Sequence, residues 1–211
     1  MVTFEKIYFR KEGVLILEDI SVLIKNKNTG IIGDNGSGKS SFLRLIKKLE
    51  MPSSGKIFSE CTTSLIFQNP DHQILCPTVK DEICFGLIEM GEHKDIVEKK
   101  FENLVSKFQI NFLIEKNTHE LSEGEKQLVC ILSSIMDKAD LILLDEPFSS
   151  LDQKNQKKFT NFVLQLTQPI IMASHQLSLL ENFDEIIWLD NGKIVSVGPP
   201  CRILSKYRET I

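Results

Sequence analysis

The chain has 211 residues, of which 42% are hydrophobic and 26% charged, with a formal net charge of −4. These are the proportions of a globular protein long enough to bury one sizeable core; the acidic balance argues against a nucleic-acid partner, and no stretch approaches the ~18 to 20 apolar residues that cross a bilayer. The cysteines (Cys61, Cys76, Cys84, Cys130 and Cys201) form no CxxC pair and have no histidine at metal-ligand spacing, which fits small buried side chains in a reducing compartment; with no basic-then-apolar leader, a cytosolic location is expected.

Residues 4–9 and 20–24 read as strands, the second alternating apolar and polar side chains. T-G-I-I at 29–32 reads as a short buried strand that leads into a glycine-rich stretch, and 39–49 follow as a helix that M-P-S-S-G at 51–55 stops. Another strand is expected at 64–67. From about 71 to 137 the pattern turns helical. Thr78 caps a helix whose apolar side carries Ile83, Phe85, Leu87 and Ile88, a charged helix spans about 92–108, and a third begins near Ser122. The continuous apolar run at 141–144 suits a strand covered on both faces, and 169–174 is a second one. D-N-G-K at 190–193, between two apolar runs, signals a tight hairpin.

Three stretches carry chemistry. G-D-N-G-S-G-K-S at 33–40 fits G-x-x-x-x-G-K-[ST], and it follows a strand and opens a helix, as that motif requires. Its candidate nucleotide contacts are Asp34, Asn35, Gly36, Ser37, Gly38, Lys39, Ser40 and the following Ser41. Backbone N–H groups would wrap the phosphates, Lys39 would reach the β/γ-phosphates, and the Ser40 hydroxyl would ligate Mg²⁺. Asp145, at the end of the 141–144 run, suits the metal, while Glu146 suits a general base that polarises water; capping of the turn at Pro147 is the bland alternative. L-S-E-G-E-K-Q at 121–127 opens a helix, with Ser122 and Gly124 free for an anion. It also satisfies an ordinary capping box of Ser122 with Glu125.

With these pieces in order, the chain resembles the ABC ATPase family. The 121–127 stretch is similar to the LSGGQ signature, Gln68 to the Q-loop glutamine, S-S-L-D at 149–152 to the D-loop, and His175 to the switch histidine. The resemblance spans the chain and implies one α/β domain. Its P-loop NTPase core (1–70 and 138–211) would hold a mostly parallel sheet with an N-terminal antiparallel β portion, interrupted by a helical signature subdomain (71–137). It implies ATP and Mg²⁺ as cofactors, with Glu146, His175 and Gln68 as catalytic residues and Ser40, Gln68 and Asp145 at the metal. It further implies two such subunits, identical or not, packed head to tail. Ser122 and Gly124 of one would then meet the ATP held by the other, on the cytoplasmic face of a membrane transporter scaffold.

Three positions depart from the family pattern. Lys11 stands where an adenine-stacking aromatic is usual, with Tyr8 or Phe9 as substitutes; Glu123 replaces the first glycine of the signature, and Leu128 a common arginine. Within the family, F-Q-N-P-D-H-Q at 67–73, C-P-T-V at 76–79 and F-G-L at 85–87 resemble the energy-coupling-factor ATPases that drive uptake of vitamins and metal ions. That subgroup implies scaffold docking near 69–73 and the helix from Thr78, with Asp71, Asp81 and Glu82 available to scaffold arginines. Another ABC importer or exporter, or a non-transport ABC ATPase, remains as the alternative. The transported solute is not encoded here.

Overall fold

The computed structural model describes residues 1–210. Two strands, β1 (Val2–Lys11) and β2 (Val14–Ile24), form an antiparallel hairpin that starts earlier and runs longer than the alternation predicts. β3 (Thr29–Ile32), wholly buried, runs into the glycine-rich loop and α1 (Lys39–Ile46). α1 ends three residues before the expected 49, because Lys48 takes a left-handed φ of 62° and breaks the helical path. The expected stop signal then leads into a strand that the sequence reading missed, β4 (Ser54–Ser59), which pairs with β1. β5 (Thr63–Ile66) closes this half.

Between β5 and the next strand lies the helical insertion: α2 (Val79–Glu89), α3 (Lys94–Phe108), α4 (Asn111–Ile114) and α5 (Glu123–Met136). Thr78 caps α2 as expected, its hydroxyl accepting from the Asp81 N–H. After it come β6 (Leu141–Asp145), α6 (Gln153–Leu164), β7 (Ile170–Ala173), the hairpin β8 (Glu185–Asp190) and β9 (Lys193–Gly198), and α7 (Pro200–Arg208). Neither α6 nor α7 was legible in the sequence pattern.

The strands make two sheets, a three-stranded antiparallel one ordered β2-β1-β4 and a six-stranded one ordered β5-β6-β7-β3-β8-β9, parallel except for β9. Alternate residues of the large sheet face two cores, as the two-residue side-chain period demands. Ile31, Leu143, Ile171 and Ile187 pack with α1 and the small sheet, where Phe4 stacks on Phe42 at 4.5 Å. Ile32, Ile142, Leu144, Ile170 and Met172 pack with the helices of the insertion and with α6 and α7. Burial on both faces explains why β6 and β7 read as continuous apolar runs. Among the described residues no helix is long and apolar enough to cross a membrane.

Candidate functional site

The parallel strands end together, so whatever follows β3, β5, β6 and β7 gathers along one edge, the usual ligand position in an open α/β sheet. After β3 comes the loop 33–40, after β5 Gln68, at the end of β6 Asp145 and Glu146, and after β7 His175. Asn35, Gly36, Gly38, Lys39, Ser40 and Ser41 line one cavity of about 440 Å³ together with Gln68, Glu146 and His175. A residue the sequence reading did not single out, Ile16 of β2, lines it too.

The geometry of the loop suits an anion. Gly38 precedes α1 with φ 103°, a conformation that a side chain would strain, and the first turn of α1 carries no acid. Lys39 is buried, its Nζ donating to the carbonyls of Gly33 (2.8 Å) and Asp34 (3.0 Å) and lying 3.9 Å from the Glu146 carboxylate. Burial pulls its pKa below the ordinary lysine value, against the opposing pull of Glu146, Asp145 and Asp34. Two of the candidate residues do not turn their side chains into this cavity. The Ser37 hydroxyl is buried beneath the loop, and the Asp34 carboxylate accepts from Tyr207 of α7 at 2.7 Å.

Ser40 Oγ donates to Asp145 Oδ1 at 2.9 Å, and both line a second cavity of about 350 Å³ with Gln68, Arg44 and His72. Burial raises the Asp145 pKa; the Ser40 bond and Arg44 oppose that rise. Glu146 sits in the left-handed region with φ 51°, held there by its N–H donating to the Ala173 carbonyl at 3.0 Å. A non-glycine residue in that conformation costs of order 1 kcal/mol or more and persists only where the surroundings fix it. The result aims its carboxylate at His175, Oε2 lying 2.6 Å from Nδ1.

Ser122 and Gly124 do not join this set. They line a separate cavity of about 590 Å³ with Phe108, Phe112, Leu151 and Phe159. Ser122 caps α5 in a full capping box with Glu125, whose other oxygen accepts from Lys116 at 2.8 Å. Burial raises the Glu125 pKa, but Lys116 and Ser122 outweigh it and hold the carboxyl below the usual range. Glu123 is exposed to solvent. Asp152 caps α6 through the N–H groups of Lys154 and Asn155.

Two polar links were missed in the sequence. Gln127 is fully buried on α5, and its Nε2 donates to the carbonyls of Phe67 (3.0 Å) and Gln68 (2.8 Å), tying the helix behind Ser122 to the backbone that carries Gln68. Its spacing after Leu121 and Gly124 puts it on the inward face of the helix, which was the available signal. The buried Glu82 carboxylate accepts from the N–H groups of Leu75 and Cys76, both at 2.8 Å. It is therefore committed within the chain and is not free for a scaffold arginine, which corrects the expectation; Asp71 already pairs with Lys126 at 2.6 Å. Lys11 does not line the phosphate-loop cavity: its Nζ pairs with Glu50 at 2.8 Å. Phe9 is buried in the sheet.

The family model described as ABC transporter matches residues 17–149, which takes in the loop, Gln68, the 121–127 stretch and the β6 carboxylates. The chain belongs to the ABC transporter ATPase family. As such it is the ATP-binding, ATP-hydrolysing subunit type of a transporter. This ABC ATPase is 34% identical to the biotin transport ATP-binding protein BioM of Rhodobacter capsulatus, over 93% of this chain and 89% of that one. It is 33% identical to the BioM of Rhizobium etli over 96% and 98%. Among solved structures it resembles cbiO1 of Clostridium perfringens, part of the ABC transporter complex cbiONQ, with a TM-score of 0.89 and 25% identity over 99% of this chain and 92% of that one.

Proposed function

We propose that this ABC ATPase powers an energy-coupling-factor-type uptake transporter for a vitamin or a metal ion, working as one of two head-to-tail subunits on the cytoplasmic face of a membrane scaffold. The observation that carries the catalytic part is the convergence of Glu146, His175, Lys39 and Gln68 on one cavity with the phosphate loop. Lys39 and the backbone of 35–41 would hold the triphosphate. Glu146 would take a proton from the attacking water, and His175, at 2.6 Å, would orient the Glu146 carboxylate and touch the γ-phosphate. The Ser40 hydroxyl, the Asp145 carboxylate and the Gln68 amide oxygen form a hard-oxygen set of the kind Mg²⁺ takes together with phosphates. Bound there, the ion would neutralise charge on the phosphate oxygens.

The separate cavity at Ser122 and Gly124 supports a composite site: neither residue reaches the phosphate loop of its own chain, so each would act on ATP held by a second subunit. Closure of two subunits would then complete the donors around the γ-phosphate. Similarity to the BioM proteins and to cbiO1 supports the uptake subgroup. So does the surface around α2, where Leu75, Phe85, Ile88 and Met90 are exposed beside the Gln68 loop, with Asp81 and Glu89 at its margin. That face suits an amphipathic scaffold helix with basic flanks. The test is purification of the tagged chain from detergent-solubilised membranes. A polytopic membrane protein should co-elute in stoichiometric amount and raise the ATPase rate above that of the isolated chain. Elution of the chain by itself, with an unchanged rate, would contradict the proposal.

A further inference from the structure

One contact reaches the phosphate loop from the far end of the chain. The Tyr207 hydroxyl on α7 donates to the Asp34 carboxylate at 2.7 Å, across 173 residues of sequence. Tyr207 is 6% exposed, and its ring lies edge-on to Trp188 of β8, centroids 5.3 Å apart. α7 itself is anchored, Arg202 donating to the Val197 carbonyl at 2.8 Å and Arg208 pairing with Glu181 at 2.7 Å. The start of the loop is pressed on the same strand: a Cβ on Gly33 would stand 2.0 Å from the Leu189 carbonyl oxygen, so only glycine permits that approach. The next residue, Asp34, has two roles to reconcile. Its carbonyl accepts from Lys39 Nζ at 3.0 Å and from the Ser37 N–H at 3.1 Å, so its backbone shapes the loop. Its carboxylate, however, is an anion in a loop that receives a polyanion.

We propose that Tyr207 is a positioning residue for nucleotide binding: its hydroxyl holds the Asp34 carboxylate turned toward α7, away from the phosphates, and so fixes the loop backbone that supports Lys39. The hydroxyl is a dependable donor. Burial first, and then the Asp34 bond, push the Tyr207 pKa up to about 12, so it keeps its proton at neutral pH. The inference rests on the reading of 33–40 as the phosphate loop. Lys39→Ala tests that reading separately, so the two failures show in different variants.

The experiment titrates MgATP calorimetrically into the full chain and three variants, Tyr207→Phe, Asp34→Asn and the double, at low and high salt. Tyr207→Phe keeps the ring against Trp188 and deletes only the hydroxyl. It should raise Kd about fivefold, the scale of one hydrogen bond, and KM should move with little change in kcat. In the Asp34→Asn background the same change should raise Kd less than twofold, since no carboxylate is left to restrain. Asp34→Asn by itself should tighten MgATP, and the Tyr207→Phe effect should shrink as salt rises. Equal weakening in both backgrounds would assign the hydroxyl to fold stability and overturn the inference. Unchanged affinity in Tyr207→Phe, or no tightening in Asp34→Asn, would overturn it as well.

Discussion

Replacing Gln127 by leucine should both destabilise the chain and loosen the Gln68 loop. The side chain is fully buried and donates to two carbonyls, Phe67 at 3.0 Å and Gln68 at 2.8 Å. Two neutral hydrogen bonds contribute about 1 kcal/mol each, and leaving buried carbonyls unpaired adds to their loss. One term opposes this: the Oε1 atom of Gln127 is itself buried without a partner, and leucine removes that penalty. The balance is a loss of about 2 kcal/mol, which for a chain of this size lowers Tm by roughly 4 to 8 °C. Thermal melts followed by circular dichroism measure the loss, and steady-state ATPase assays measure the effect on the Gln68 loop, where KM for MgATP should rise. Gln127→Glu provides a sign test. It sets an acceptor against two acceptors and should cost more than leucine at neutral pH despite its closer shape. If Gln127→Leu melts within about 1 °C of wild type, or Gln127→Glu proves the milder change, the link between α5 and the Gln68 loop does not work as described.

Lys39→Ala should lose saturable MgATP binding in calorimetry while keeping or raising Tm, because the depressed pKa of Lys39 marks a charge whose burial costs stability. Glu125→Gln should weaken the cap of α5 by about 1 kcal/mol near pH 7. The folded carboxyl lies below its ordinary pKa, so its contribution is present above the unfolded value near ~4.3 and is lost as pH falls through the lower folded value. Urea melts of wild type and variant should therefore converge in acid; a gap that stays constant to pH ~3 would refute this. Glu82→Lys should release the Leu75 and Cys76 N–H groups and expose residues 73–78 to limited proteolysis, whereas Asp81→Lys, which loses only the bond from the Thr78 hydroxyl, should leave those two N–H groups held and the loop protected. Equal protease resistance in the two variants would show that Glu82 is not the clamp.

Most of the proposed phosphate end was legible in the sequence because its parts are local. A glycine loop between a buried strand and a helix, or carboxylates at the end of an apolar run, can each be recognised within about ten residues. The convergence of Gln68, Glu146 and His175 followed from parallel strands ending on one edge. What escaped depends on distant partners. Nothing near Tyr207 indicates Asp34, and nothing near Gln127 indicates the carbonyls of 67 and 68. Glu82 looked like a free first-turn acid because the fold of 73–78, which turns two N–H groups onto it, has no periodic pattern. β4 was hidden for a similar reason: Gly55 and two serines read as a helix stop, and only pairing with β1 makes them a strand.

Glu146→Gln tests the central claim most directly. The substitution keeps size and hydrogen bonding but removes the carboxylate proposed as the base beside His175 and Lys39. MgATP affinity should be retained, turnover should fall by about 10² to 10⁴, the range for loss of a general base, and MgATP should trap the variant as a dimer in size-exclusion chromatography. Turnover near the wild-type rate would contradict the account.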